Sequence, residues 1–194
     1  SLLAAHLALV TKRIKLTTGI CLVIQRDVIQ LAKEVATLDT ISKGRFIFGV
    51  GAGWNAEEMA DHGTTDFQGR GKLLNERLAA LKAIWTGSKP EFHGDLVDFG
   101  PMMTWPKPVQ KPYPPIIVGG GFPHGAKRAI AHGDGWMPIG GRLDVVDLLP
   151  RFRQMAAEAG REPDDIPVTS FGLQPNSDQV SRTADAGVDR VVFN

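Results

Sequence analysis

Short, almost wholly apolar runs alternate with amphipathic stretches along this chain, and that alternation restricts the fold more than any single residue does. The runs 13–24, Arg45 to Val50, Pro115 to Val118, Gly135 to Pro138, Ile166 to Phe171 and Asp189 to Phe193 read as strands. Between them apolar residues recur at helical spacing: Leu31, Val35 and Leu38; Leu74, Leu78, Leu81 and Trp85; Ala126, Ala129 and Ile130. An opening helix carries Leu3, Leu7 and Val10 on one face, and Gly44 and Gly187 stand where helices should stop. The stretch 144–160 reads as helical but split at Pro150, because proline suits a first turn better than a helix interior. Strands without a polar face, separated by helices, predict a parallel sheet covered by helices. Six such units fit a doubly wound sheet or part of an eight-unit barrel. A barrel of that kind takes about 250 residues; with 194 residues, a helical start and a strand at the end, the chain reads as about two units short. It is expected to form one domain over 1–194, with an irregular excursion at about 86–115, rich in proline, glycine and aromatics, that holds a short hairpin.

Composition narrows the function classes. Net charge is +1 with both signs interspersed, so no basic stripe points to nucleic acid. Cys21 is the one cysteine, which excludes an intrachain disulfide and a multi-cysteine metal site. The five histidines, His6, His62, His93, His124 and His132, are scattered and form no metal-ligand pattern with carboxylates. No apolar run approaches the roughly 18 residues that span a bilayer. These features predict a cytoplasmic protein with no metal, nucleic acid or membrane partner.

Glycine positions carry the functional signal. Clusters fall at or just past the C-terminal ends of the expected strands: Gly19; Gly49, Gly51 and Gly53; Gly119, Gly120 and Gly121; Gly140 and Gly141; Gly172. Parallel α/β proteins bind ligands at that edge. Any one strand-to-helix turn needs glycine for its own sake, whereas several on one edge favour a ligand bed of bare main chain. The run from Gly119 through Phe122 to His124 opens a helix, where free N–H groups and the positive helix end suit an anion. Lys127 and Arg128 lie in the next turn and either add charge or face solvent. The spacing matches neither the G-x-G-x-x-G fingerprint nor a P-loop. Trp54 and Asn55 follow the second cluster; the indole could stack on a planar ring or cap the core, and the amide could bond a ring edge. Glu57 and Glu58 are accounted for by the helix N-terminus they occupy. Cys21 reads as a small buried hydrophobe or a ligand contact, and Trp136 as a packed rim residue or a cofactor contact.

The run AKEVATLDTISKGRFIFGVGAGWN over 32–55 resembles the luciferase-like monooxygenase superfamily, as do WPKPVQKP at 105–112, PPIIVGGG at 114–121 and GDGW at 133–136. The resemblance runs the length of the chain in the family's order. It implies a luciferase-like TIM-type (β/α)8 barrel, α/β in class, with about six of eight strands present and the first two missing. It implies FMN for oxygenation or the deazaflavin coenzyme F420 for hydride transfer, and the sequence is more similar to the F420 group. In that group a non-proline cis peptide often sits at the strand end matching Gly19 and Ile20. Gly51, Ala52 and Gly53, followed by Trp54 and Asn55, are then expected along the ring system, and Gly119, Gly120, Gly121 and Phe122 around the phosphate. Some relatives place an acid where this chain has Trp54, so no catalytic residue is assigned. The expected activity is hydride transfer between F420 and a small organic substrate. An FMN-dependent monooxygenase and a non-catalytic flavin-binding relative are the alternatives, and a homodimer is the expected assembly.

Overall fold

A computed structural model describes residues 2–138 and 144–193. They form two compact units, divided between Pro115 and Ile116. The expected glycine pair Gly140 and Gly141 lies outside the described residues.

The first unit begins with helix α1 (Leu2–Val10). Its predicted apolar stripe is not packed: Leu3 is 71% and Val10 63% exposed, and Ala8 is the residue the helix buries. Strands β1 (Leu16–Thr17) and β2 (Cys21–Leu22) follow, then a 3-10 turn over Val23–Gln25. A single strand over 13–24 is therefore not what forms. Helix α2 (Val28–Ile41) starts where the Asp27 carboxylate accepts a hydrogen bond from the Gln30 N–H at 2.8 Å, and it buries Leu31, Ala32, Val35, Ala36 and Leu38. Strand β3 (Phe46–Gly51) is the unit's organiser, since β1 and β2 both pair with it in parallel. Helix α3 (Ala56–Asp61) and the longer α4 (Arg70–Thr86) come next. The predicted stripe Leu74, Leu78, Leu81 and Trp85 is buried, and the Trp85 indole N–H donates to the Ala32 carbonyl of α2 at 3.0 Å.

The excursion contains the expected hairpin, β4 (Phe92–His93) antiparallel to β5 (Asp98–Phe99). The rest of it is laced back to the sheet. The fully buried Asp39 carboxylate accepts from the Gln110 main chain at 2.9 Å and from its side-chain amide at 2.7 Å, and that amide also donates to the Phe46 carbonyl. A buried carboxylate costs several kcal/mol unless paired or multiply bonded, and these donors offset that cost.

The second unit contains β6 (Ile116–Gly119), α5 (His124–His132), β7 (Gly135–Met137), α6 (Val145–Glu158), a 3-10 turn over Pro163–Asp165, β8 (Thr169–Leu173), α7 (Ser177–Asp185) and β9 (Arg190–Phe193). β6 pairs with β7 and β8 with β9, all parallel, and a Trp136–Val168 bridge links β7 to the chain entering β8. One clasp is used twice. Asp134, just before β7, takes the Ile116 N–H on its carboxylate and gives its own N–H to the Ile116 carbonyl. Asp189, just before β9, does the same with Val168. Pro150 does not divide α6. The missing N–H forfeits one main-chain bond, while Val145, Leu149, Phe152 and Ala156 form one continuous buried face at helical spacing that spans the proline.

Candidate functional site

In the first unit the expected site residues gather where β2 runs beside the end of β3. Thr17 pairs with Ile47 and Cys21 with Val50, so Thr18, Gly19 and Ile20 oppose only Phe48 and Gly49. That is a β-bulge, one extra residue that bends the strand. Gly49 makes it possible. A Cβ there would lie 1.8 Å from the Thr18 carbonyl oxygen, and the Thr18 hydroxyl donates to the Gly49 carbonyl at 2.7 Å. The Gly19–Ile20 peptide within the bulge is cis. Gly19 is exposed and Ile20 half-buried.

Leu22 pairs with Gly51, which brings the bulge alongside the turn Gly51, Ala52 and Gly53. A Cβ on Gly53 would meet the side chains of Leu22 and Met59 at 3.5 and 3.6 Å. Beyond it, Trp54 is 82% exposed and does not cap the core. The Asn55 side-chain oxygen accepts from the Glu57 and Glu58 N–H groups at 3.0 and 3.2 Å as the N-cap of α3. Such a cap contributes about 1 kcal/mol. The carbonyl of Gly53 accepts from Arg70 Nε at 3.3 Å. Burial pushes the Cys21 thiol pKa above its ordinary value, so this cysteine is neutral and a weak nucleophile at neutral pH.

In the second unit the turn Gly119 to Phe122 joins β6 to α5. Gly120 and Gly125 lie back to back: a Cβ on Gly125 would sit 2.3 Å from the Gly120 carbonyl oxygen, and the Gly125 N–H donates to the Gly121 carbonyl at 2.7 Å. Trp136 holds the turn from below. It is fully buried, stacks on Phe152 at 4.7 Å and donates its indole N–H to the Gly120 carbonyl at 3.0 Å. Phe122 leans on the same indole, with ring centroids 6.3 Å apart. The Gly120 N–H is used by the Met137 carbonyl, so it is committed to the sheet. Gly121 is exposed, and a Cβ on it would have no neighbour within 4 Å.

Gly19, Ile20 and Gly51 to Asn55 thus form one rim in the first unit, and Gly119 to Phe122 form one turn in the second. Sequence reasoning missed the supports beneath them: Gly49 as the seat of the bulge, Arg70 on the Gly53 carbonyl, and Gly125 behind Gly120. Gly125 had a readable signal in its place one helical turn after the glycine run. Arg70 had none. Among the described residues no group of three or more His, Cys, Asp and Glu side chains could hold a metal ion, and no helix is long and apolar enough to cross a membrane.

Comparison with known proteins decides the family, since residues 1–188 match the luciferase-like monooxygenases. The chain belongs to that family. An uncharacterized protein of Mycobacterium tuberculosis is 39% identical to this luciferase-like protein over 186 residues, 95% of this chain and 64% of the relative. An F420-dependent glucose-6-phosphate dehydrogenase of Amycolatopsis mediterranei is 30% identical over 162 residues, 80% of this chain and 48% of that one. An FMNH(2)-dependent dimethylsulfone monooxygenase of Pseudomonas putida is 28% identical over 153 residues, 78% and 42% of the two chains. The solved structure of the coenzyme F420-dependent tetrahydromethanopterin reductase from Methanopyrus kandleri matches with a TM-score of 0.75 at 25% identity, over 90% of this chain and 55% of that one. The chain spans less than two thirds of the length of each of these relatives. Its fold class is the luciferase-like (β/α) barrel, of which these parallel strand–helix units are a part, and the family's members are oxidoreductases.

Proposed function

We propose that the protein is an F420-dependent oxidoreductase that transfers a hydride between the deazaflavin and a small organic substrate. The observation that supports a phosphorylated coenzyme is the Gly119–Phe122 turn, and the F420-dependent relatives favour the deazaflavin over FMN. Its main chain is bare, and its Gly121 faces open space at the start of a nine-residue helix. A turn of that kind receives a phosphate by geometry and by the helix dipole. The rim of the first unit fits a planar ring on the same grounds: exposed Gly19, half-buried Ile20, Ala52 and Gly53, and the exposed indole of Trp54. F420, when bound, supplies the hydride chemistry; the protein binds, orients and excludes water. Two of the relatives above carry F420 in their names.

Binding titrations of the protein with F420 and with FMN test the proposal. Tighter binding of F420 is the expected result, and preferential binding of FMN overturns it. The FMN monooxygenase reading is kept alive by the Pseudomonas relative. It predicts oxygen uptake when reduced FMN is supplied, and its absence removes that alternative. The family resemblance leads us to propose also a cytoplasmic homodimer, and light scattering that gives a monomer mass at working concentration refutes the dimer.

A further inference from the structure

We propose that Arg70 is a positioning residue that fixes the ring-facing turn by tying its far end to the base of α4; this rests on the functional reading above. Between Gly53 and α4 the chain makes a polar excursion, 54–69, in which helix α3 buries only Met59. So short and exposed a segment has little packing with which to hold the turn it grows from. Arg70 closes its neck. Its Nε donates to the Gly53 carbonyl at 3.3 Å, its Nη1 donates to the Phe67 carbonyl at 2.7 Å, and its guanidinium carbon lies over the Phe67 ring, 3.8 Å from the centroid. One planar cation therefore grips the chain where the excursion leaves β3 and where it returns, and half-burial keeps water from competing fully for those carbonyls. Thr64 adds a lighter tie, its hydroxyl donating to the Ile24 carbonyl at 3.2 Å. Lysine cannot replace Arg70, because an ammonium has no fork to span two carbonyls and no plane to stack on Phe67.

The test compares wild type with Arg70→Met and Arg70→Lys in three measurements: F420 affinity by titration, amide hydrogen exchange of the cofactor-free protein, and the melting temperature. Arg70→Met is expected to weaken F420 binding by on the order of tenfold. Exchange should speed up by a similar factor, confined to 52–66, while the melting temperature stays within about 4 °C of wild type. Arg70→Lys should fall between the two. F420 affinity within about twofold of wild type overturns the proposal. So does weakened binding with unchanged exchange over 52–66, which would make Arg70 a direct ligand. Wild-type protein that binds neither F420 nor FMN refutes the functional reading instead. The grip is then judged on exchange alone: local acceleration supports it and unchanged exchange overturns it.

Discussion

Replacing Gly49 with alanine should cost more than an alanine in a strand has any ordinary reason to cost. Glycine is the poorer strand former, so on local preference alone the change would be neutral or stabilising. The structure reverses that sign. The added Cβ would start 1.8 Å from the Thr18 carbonyl oxygen, against a floor of about 3.0 Å for real contacts, so the bulge must retreat by about 1.2 Å. Overpacking of that kind costs about 1–3 kcal/mol. The retreat also breaks the 2.7 Å bond from the Thr18 hydroxyl to the Gly49 carbonyl, for about 1 kcal/mol more. Together these give about 2–4 kcal/mol. In a protein of this size each kcal/mol moves the melting temperature by about 2–4 °C, so Gly49→Ala should melt about 4–16 °C lower. Thermal unfolding followed by circular dichroism reads the shift. A variant that melts within about 1 °C of wild type would show that the bulge is not seated on Gly49, and the account of the rim would fall with it.

Other sites give sharper contrasts. Gly121→Ala meets no atom within 4 Å, so its melting temperature should stay within about 2 °C of wild type while F420 binding weakens; unchanged affinity by titration would argue against a phosphate on that turn. Trp136→Phe leaves the Gly120 carbonyl without its 3.0 Å donor and opens a void against Phe152, and urea unfolding should register a loss of about 2–3 kcal/mol. On the hairpin, the His93 ring bonds the Asp98 carboxylate at 2.7 Å, which raises the His93 pKa above its ordinary 6.5. A histidine raised on folding adds stability that is complete below 6.5 and fades as pH climbs through the raised value. An NMR titration should therefore find His93 above 6.5 in wild type and lower in Asp98→Asn; equal values in the two proteins would refute the pairing.

The parts that sequence reasoning reached and missed differ in physical kind. Buried strands and helices advertise themselves because burial demands apolar side chains at a fixed period, and Leu74, Leu78, Leu81 and Trp85 met that demand residue by residue. The glycine clusters were readable as turns at strand ends, and Gly51 does end β3, with Gly53 after it, as Gly120 and Gly121 follow β6. The bulge was not readable. It depends on one carbonyl approaching one Cα, and the string records that approach only as another glycine among several. The unbroken α6 was missed because proline is a local signal, whereas the buried face running from Val145 to Ala156 is a tertiary one that outweighs it. Arg70 looks like any basic residue in the first turn of a helix, where a cation is electrostatically misplaced. That very misplacement is explained once its partners are the Gly53 and Phe67 carbonyls.

The same distinction bears on coenzyme choice. Bare main chain would recognise only what FMN and F420 have in common, a phosphate or a flat tricyclic ring, because N–H groups and bare Cα atoms carry no side-chain vocabulary. The turn Gly51 to Gly53 of the first unit, taken by itself, would therefore meet either ring system, and Gly121 of the second unit either phosphate. Discrimination has to come from side chains that meet the parts the two do not share. On the rim of the first unit those are Ile20, Ala52 and Trp54, of which the exposed indole has by far the largest free surface. Trp54→Ala should consequently narrow the gap between F420 and FMN affinities more than it lowers either one alone, with the melting temperature held, since an 82% exposed ring contributes little packing. Titrations in which both affinities fall by one common factor would move the discriminating contact away from Trp54.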